Sequence, residues 1–194
     1  MNIGIYIYEN AEVLDFSGPF EVFATASRLA GVAGLLNVFL VAETRQLVRA
    51  RGGYEVKPGF SFADHPPIDV LVVAGGVHTQ EMQKKRVIDW VATTASSASL
   101  VTSVCTGAFL LAEAGLLTNC SVTTHWEDIP DLRKSYPTLT VLENQRWVDA
   151  GNIVTSGGIS AGIDMSLYLV SKLCGMALAE KTARQMEFDW QRNR

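Results

Sequence analysis

Two nearly continuous apolar runs, each followed by a helix-like segment, constrain the fold of this chain most strongly. Residues 69–76 read DVLVVAGG and residues 99–104 read SLVTSV. Runs of this kind predict strands that are buried on both faces of a parallel sheet. Parallel strands need long crossover connections, and the segments 80–95 and 106–117 show the apolar spacing of helices. We therefore predict an α/β three-layer sandwich of flavodoxin-like architecture, with a mostly parallel central sheet.

The rest of the chain continues the alternation of strands and helices. Ser17 or Gly18 is placed to cap the first helix, Pro19 suits its first position, and Gly31 suits its end. No repeat, linker or shift in composition marks a boundary, so we expect one domain over residues 1–194. The further predicted elements are strands at 2–8, 35–43 and 121–126, hairpins at 47–58 and 146–156, and helices at 17–31, 160–175 and 177–191.

The composition is that of a globular chain and argues against two classes of partner. The 194 residues are 48% hydrophobic and 19% charged, and their net charge is −4. Nucleic-acid binding needs clustered Lys and Arg. Because the basic residues are scattered, we expect no nucleic-acid partner. No apolar run approaches the roughly 18 residues of a membrane span, so we expect no membrane partner either.

The amino terminus and the cysteines predict a cytoplasmic protein. The opening MNIGIYIYEN lacks the positive region of a signal peptide. Cys105, Cys120 and Cys174 are odd in number and lack metal-ligand spacing, which predicts free thiols in a reducing compartment. The segment GGISAGIDMS at 157–166 lacks the GxGxxG order of a dinucleotide site and predicts close packing of a helix on the sheet. We therefore expect no metal, no other cofactor, and a small molecule as the partner.

Cys105 is the candidate for chemistry, because it falls between a buried strand and a helix. Ligands of parallel sheets bind at the carboxyl ends of the strands, where helix amino ends point. There the helix N–H groups favour a thiolate, and a sharp turn lifts the side chain out of the sheet. A buried structural cysteine is the alternative, since cysteine is a common core residue. Position alone leaves the two alternatives open.

Backbone groups near Cys105 are candidates for an oxyanion hole. Gly75 and Gly76 end the preceding strand, so their N–H groups would lie beside the thiol across the sheet. The N–H of Thr106 is the expected second donor. Gly107 leaves room for the substrate or for neighbouring backbone.

Three side chains are candidate partners of the thiol. Asp15 lies just before a predicted helix, where an acid is either a cap or a proton donor to a nearby reaction. His125 follows a predicted strand and is either structural or an assistant to the thiol. Trp126, its neighbour, is a candidate wall of the pocket.

Four motifs together resemble the ThiJ/PfpI superfamily, whose fold is that of class I glutamine amidotransferases. The similarity is strongest to isonitrile hydratases and to the amino-terminal domains of AraC-type regulators. It extends from the first strand to about Cys174. The motifs are LDFSGPFEVF at 14–23, SVCTGAFLLAEAGLL at 103–117, TTHW at 123–126 and TSGGISAGIDMSLYLV at 155–170.

The resemblance implies a role for each matching residue. Cys105 corresponds to the nucleophile, and Asp15 to the acid that hydrogen-bonds it in isonitrile hydratases. Thr106 stands where the peptidase-like branch has histidine, which argues against proteolysis. His125 matches the histidine near the thiol in the ThiJ branch, and Gly76 matches the oxyanion-hole glycine.

The resemblance also implies what the protein does. The first expectation is a cysteine-dependent enzyme that hydrates an isonitrile to an N-substituted formamide in a small apolar pocket. The alternative is a stand-alone domain that senses a small ligand or peroxide, without a DNA-binding domain. A third hypothesis is glyoxalase- or deglycase-like hydrolysis. Relatives are commonly homodimers, so we expect a homodimer here.

Overall fold

The buried apolar runs form the middle of a seven-stranded sheet. The computed structural model describes residues 1–32 and 34–193. The strands in chain order are β1 (Asn2–Tyr6), β2 (Asn37–Ala42), β3 (Val48–Arg49), β4 (Glu55–Val56), β5 (Phe60–Ser61), β6 (Val70–Val73), β7 (Leu100–Val104), β8 (Ser121–Val122), β9 (Thr140–Val141), β10 (Trp147–Asp149) and β11 (Ile153–Ser156).

The central sheet is parallel except at one edge. Its order is β10-β11-β7-β6-β1-β2-β5, and only the β10–β11 pair is antiparallel. Val73 of β6 aligns with Tyr6 of β1 and Ser103 of β7, while Val104 aligns with Ser156 of β11. This register brings the carboxyl ends of four strands to the same edge of the sheet.

Helices cover both faces of the sheet, which confirms the predicted three-layer α/β sandwich. One face carries α1, α5 and α6, which pack against one another, and the other carries α2 and α3. In the described ranges, no helix combines the length and apolar character needed to cross a bilayer. The helices are α1 (Val13–Leu29), α2 (Lys85–Ser97), α3 (Gly107–Glu113), α4 (Ile129–Ser135), α5 (Ala161–Cys174) and α6 (Met176–Gln185).

Both predicted hairpins are confirmed. β3 pairs antiparallel with β4 around a turn in which Gly52 and Gly53 have positive φ angles of 69° and 79°. The β10–β11 hairpin turns at Ala150-Gly151 and forms the antiparallel edge of the central sheet.

The predicted start of the first helix is wrong. α1 begins at Val13, no side chain caps it, and Pro19 lies inside the helix. Asp15 and Phe16 are buried in the first turn, and the Ser17 hydroxyl donates to the carbonyl of Val13. Burial of this turn outweighs the loss of the one helical hydrogen bond that Pro19 does not donate.

Other boundaries also differ from the prediction. The segment 121–126 is strand only at Ser121–Val122, and it pairs with β9 outside the central sheet. The helix predicted over 80–95 begins only at Lys85. The residues before it still belong to the connection from β6 and form a 3₁₀ turn at Glu81–Gln83. The helices predicted at 106–117 and 177–191 end earlier, and α4 was not predicted because its seven residues carry little periodicity.

Candidate functional site

Cys105 occupies a tight turn between β7 and α3. Its φ angle is 57°, a left-handed conformation that a residue with a side chain adopts at a cost of about 1–3 kcal/mol. Its N–H faces the carbonyls of Ser156 and Gly157 at 3.2 and 3.3 Å. Its carbonyl accepts a hydrogen bond of 2.8 Å from the hydroxyl of buried Thr124. These contacts hold the strained turn from two sides.

Asp15 and Cys105 both lie against Gly75, and the space that a side chain would fill there is taken by their atoms. A Cβ at Gly75 would lie 2.7 Å from Asp15 Oδ2, 2.7 Å from the Thr106 nitrogen and 2.8 Å from Cys105 Cβ. The two groups are close enough to influence each other, and the negative charge of Asp15 raises the pKa of the Cys105 thiol. Glycine at this position therefore lets acid and thiol meet.

Asp15 is a fully buried acid with every oxygen engaged. Oδ2 accepts the N–H of Gly75 at 3.2 Å, and Oδ1 accepts the N–H of Ile159 at 3.0 Å. Burial nevertheless raises the pKa of Asp15 from 3.8 to about 7, because desolvation penalises the charged form more than these donors favour it. Near neutral pH, Asp15 can accept or donate a proton.

The thiol of Cys105 does not match the expected thiolate. It is 6% exposed, and burial raises its pKa, with a further increase from the negative charge of Asp15. The N–H of Thr106 opposes this shift without cancelling it. Desolvation prevails because the sulfur is withdrawn from water, and the Asp15 charge adds to the cost of a thiolate. Because the pKa of the thiol is raised and that of the carboxyl reaches only about 7, the carboxyl is expected to lose its proton before the thiol.

The expected oxyanion-hole donors of Gly75 and Gly76 are already engaged. The N–H of Gly75 binds Asp15, and that of Gly76 donates to Thr106 Oγ1 at 2.9 Å. The Thr106 hydroxyl donates in turn to the carbonyl of Gly76 at 2.9 Å. A Cβ at Gly107 would overlap the carbonyl oxygen of Val73, so Gly107 serves the packing of α3 on β6.

A cavity of about 300 Å³ opens at Cys105 and is polar rather than apolar. Val77 and Ile159 are its two aliphatic lining residues, so the expectation of a small apolar pocket is wrong. The physical reason is that loops and a hairpin line the cavity, and their exposed positions carry charge. Its ionisable lining side chains, besides Cys105, are Glu12, Arg51, His78, His125, Glu127 and Asp128.

His125 lies at this cavity, whereas Trp126 does not wall it. The ring of His125 packs against Gly158, where a Cβ would overlap Nδ1, and Nε2 is 3.6 Å from Glu127 Oε2. Trp126 is 73% exposed and lines a neighbouring cavity. The short strand before His125 ends outside the central sheet, so Trp126 points away from the sheet edge.

Sequence reasoning missed most of the charged and titratable residues that line the cavity, among them His78 and Arg51. His78 lies two residues beyond Gly76, its ring centroid is 4.4 Å from that of Phe109, and burial lowers its pKa. Because His78 follows Gly76 by only two residues in the sequence, its closeness to the site could have been predicted. Arg51 comes from the β3–β4 hairpin and pairs with Glu12 at 3.1 Å, a contact without a local sequence signal. Within residues 1–32 and 34–193, no group of three or more His, Cys, Asp or Glu side chains is placed to hold a metal.

Comparisons with known proteins agree with this architecture. The chain is 35% identical over 190 residues to an isonitrile hydratase of Pseudomonas putida, covering 97% of this chain and 78% of that protein. It is 26% identical to the HTH-type transcriptional regulator GbdR of Pseudomonas aeruginosa over 99% of this chain, and spans about half (52%) of that regulator. A crystal structure of a ThiJ/PfpI family protein from Pseudomonas syringae superposes with a TM-score of 0.86 at 26% identity, covering 98% of this chain and 76% of that one.

A family model matches most of the chain as well. The model of the DJ-1/PfpI family covers residues 1–172. This range includes Cys105, the buried Asp15 and the pair Gly75 and Gly76. Family model, relatives and fold agree, and this chain belongs to the DJ-1/PfpI family.

Proposed function

We propose that this protein hydrates an isonitrile to an N-substituted formamide, with Cys105 as nucleophile and Asp15 as proton carrier. The observation that carries the proposal is the thiol–carboxyl pair that meets over Gly75. The relative of Pseudomonas putida named isonitrile hydratase supports the choice of reaction.

The raised pKa of Asp15 suits both halves of a proton transfer. As the sulfur attacks the terminal carbon of the isonitrile, the Asp15 carboxylate beside it takes the thiol proton. Asp15 then gives this proton to the same carbon, which leaves a thioimidate in which carbon is bonded to sulfur and hydrogen. Asp15 returns to its carboxylate form, so the charge of the site is the same before and after this step.

Hydrolysis of the adduct completes the reaction. Water from the polar cavity adds to the thioimidate carbon, and its two protons end on the substrate nitrogen and on the departing sulfur. The formamide leaves and the thiol is restored. The cavity lining, which includes His78 and His125, keeps water beside the carbon that must be attacked.

The test is turnover of p-nitrophenyl isocyanide, followed by chromatography of the formamide. The wild type and Cys120→Ala, a matched change of a cysteine away from the cavity, are expected to form formamide. Cys105→Ala is expected to form none. The proposal is rejected if the wild type gives no formamide, or if Cys105→Ala gives as much as the wild type.

Ligand sensing is the second candidate function, favoured by the similarity to a regulator along 99% of this chain. The cavity presents both charge signs, with Arg51 beside Glu12, which suits a small zwitterion. Calorimetric titration with small zwitterionic metabolites tests this candidate. Saturable binding together with absent isonitrile turnover would favour sensing over catalysis.

A further inference from the structure

The loop at residues 157–160 is bonded to both members of the thiol–carboxyl pair. It follows β11 and leads into α5. The N–H of Ile159 donates to Asp15 Oδ1 at 3.0 Å. The carbonyl of Gly157 accepts the N–H of Cys105 at 3.3 Å. The position of this loop therefore affects both the acid and the turn that carries the thiol.

The backbone of this loop is strained, so groups around it must hold it. Ile159 has a φ angle of 58°, a left-handed conformation that a β-branched residue rarely adopts. The residue is 39% exposed, so burial of its side chain offsets only part of this strain. A strained backbone persists where the surrounding structure fixes it. The contacts of this loop are therefore part of how the site is built.

Arg146, the residue before β10, contacts the loop at both ends. Its carbonyl accepts the N–H of Gly157 at 3.0 Å, and its Nη2 donates to Ser160 Oγ at 3.2 Å. Ile159 lies between these two contacts. The side chain of Arg146 lines the neighbouring cavity, which Trp126 also lines. Arg146 thus reaches the thiol site through the loop.

A buried carboxylate fixes the guanidinium of Arg146. Asp164 is fully buried in the first turn of α5, and its Oδ2 accepts Nε of Arg146 at 2.7 Å and also its Nη2. Its Oδ1 accepts the N–H of Gln191 at 2.8 Å, so both oxygens are paired. The backbone N–H of Arg146 donates to Asn193 Oδ1 at 3.1 Å. These charge-assisted and backbone contacts hold Arg146 in one orientation.

We propose that Arg146 is a positioning residue of the thiol site, which acts by holding the loop at Ser160. Held in this way, the N–H of Ile159 stays on the carboxylate of Asp15. The buried ion pair of Arg146 is the fixed point from which the loop is held. The inference rests on the proposed function only in treating Asp15 and Cys105 as the reactive pair.

Release of the loop is expected to raise the pH at which Asp15 loses its proton. Burial raises the pKa of Asp15, and the N–H of Ile159 is the contact that most opposes this rise. The other titratable groups that face the carboxyl are Glu12, Cys105 and Tyr8. The variants that test the proposal leave these groups unchanged.

The test is the pH dependence of Cys105 alkylation by iodoacetamide in Arg146→Lys, Ser160→Ala and the double variant, read on the Cys105 peptide by mass spectrometry. Lysine keeps a positive charge for Asp164 but lacks the fork that also reaches Ser160. Each single variant is expected to move the midpoint up by roughly half to one pH unit, which slows the reaction about two- to fivefold at pH 7. The double variant is expected to shift no further than the larger single shift, because both changes remove the same contact.

Arg192→Lys is the matched control. Arg192 lines a further cavity that Arg146 also lines, and it pairs with Glu180 at 2.8 Å, so its midpoint is expected to equal that of the wild type. Ser160 is exposed, and Ser160→Ala is expected to keep the melting temperature of the wild type. Wild-type profiles in Arg146→Lys and Ser160→Ala would overturn the proposal, as would a double variant whose shift is the sum of the two single shifts.

Alkylation needs no isonitrile, so the two proposals fail separately. Shifted midpoints in the variants of a protein whose wild type forms no formamide would support Arg146 as a positioning residue and reject the proposed function. Formamide production by the wild type, together with unshifted variants, would do the reverse.

Discussion

The chemistry of this site depends on where one proton lies between two buried acids. Asp15 and Cys105 are both withdrawn from water, and burial raises the pKa of each. Because the pKa of Asp15 is raised only to about 7, the carboxylate forms first and can serve as the base for the thiol. The sequence indicated that these residues belong together. It could not indicate the order of proton loss, which depends on burial.

Replacing Asp15 with Asn tests its burial through stability. Folding raises the pKa of Asp15 from 3.8 to about 7, so the folded state binds this proton more tightly than the unfolded state. The resulting stability is fully present below pH 3.8 and is lost as the pH rises through 7. Between these limits the wild type is expected to lose up to about 4 kcal/mol that Asp15→Asn does not lose.

Urea unfolding of both proteins across this pH range measures the difference. Asp89→Asn, which removes an exposed carboxylate paired with Lys85, is the control and should track the wild type. Parallel stability curves for the wild type and Asp15→Asn would show that Asp15 is not held in a desolvated state.

At the scale of elements, the turn between β7 and α3 matters most, because it carries the candidate nucleophile Cys105. The strand-to-helix junction was predictable because a continuous apolar run meets a helical pattern at Cys105. The early start of α1 was not, since it depends on the burial of Asp15 and Phe16 against distant residues. The same holds for β8, whose partner β9 is far along the chain.

Thr124→Val is expected to loosen this turn. It removes the hydroxyl that donates to the carbonyl of Cys105 at 2.8 Å and leaves that carbonyl only the longer bond of 3.4 Å from the N–H of Ala108. We expect a loss of about 1–3 kcal/mol of stability and slower alkylation of Cys105. Thr123→Val is the matched control, because the Thr123 hydroxyl donates to Leu142 and not to the turn.

Denaturant unfolding and peptide-resolved alkylation distinguish the two threonine variants. Both are expected to lose stability, and only Thr124→Val is expected to lose thiol reactivity. Equal reactivity of Cys105 in the two variants would show that the turn does not need Thr124.

At the scale of the whole molecule, the site exists because distant segments meet at one edge of the sheet. Asp15 comes from α1, Gly75 from the loop after β6 and Cys105 from the turn between β7 and α3. A mostly parallel sheet with a shared edge of strand ends was predictable from the pattern of strands, whereas the full strand order was not predicted. The polar cavity was not, because Arg51 and Asp128 reach it from loops that no periodicity places.

Gly75→Ala is expected to separate the segments that meet there. Its methyl group would lie within 2.8 Å of Asp15, Thr106 and Cys105, so the thiol and carboxyl must move apart. We expect a loss of about 1–3 kcal/mol of stability and the loss of isonitrile turnover. Gly59→Ala is the matched control, since its methyl group would meet nothing closer than 3.8 Å. Full turnover in Gly75→Ala would show that the close approach is dispensable.

The pH dependence of Cys105 alkylation in the wild type and in Asp15→Asn tests the central claim most directly. The proposed role of Asp15 as the base that takes the thiol proton predicts a wild-type rate that rises through a midpoint near pH 7, where burial places the pKa of Asp15. In Asp15→Asn this step is expected to disappear, and the rate to rise only at higher pH. The same midpoint in both proteins would contradict the account, as would a Cys105 that does not react at any pH.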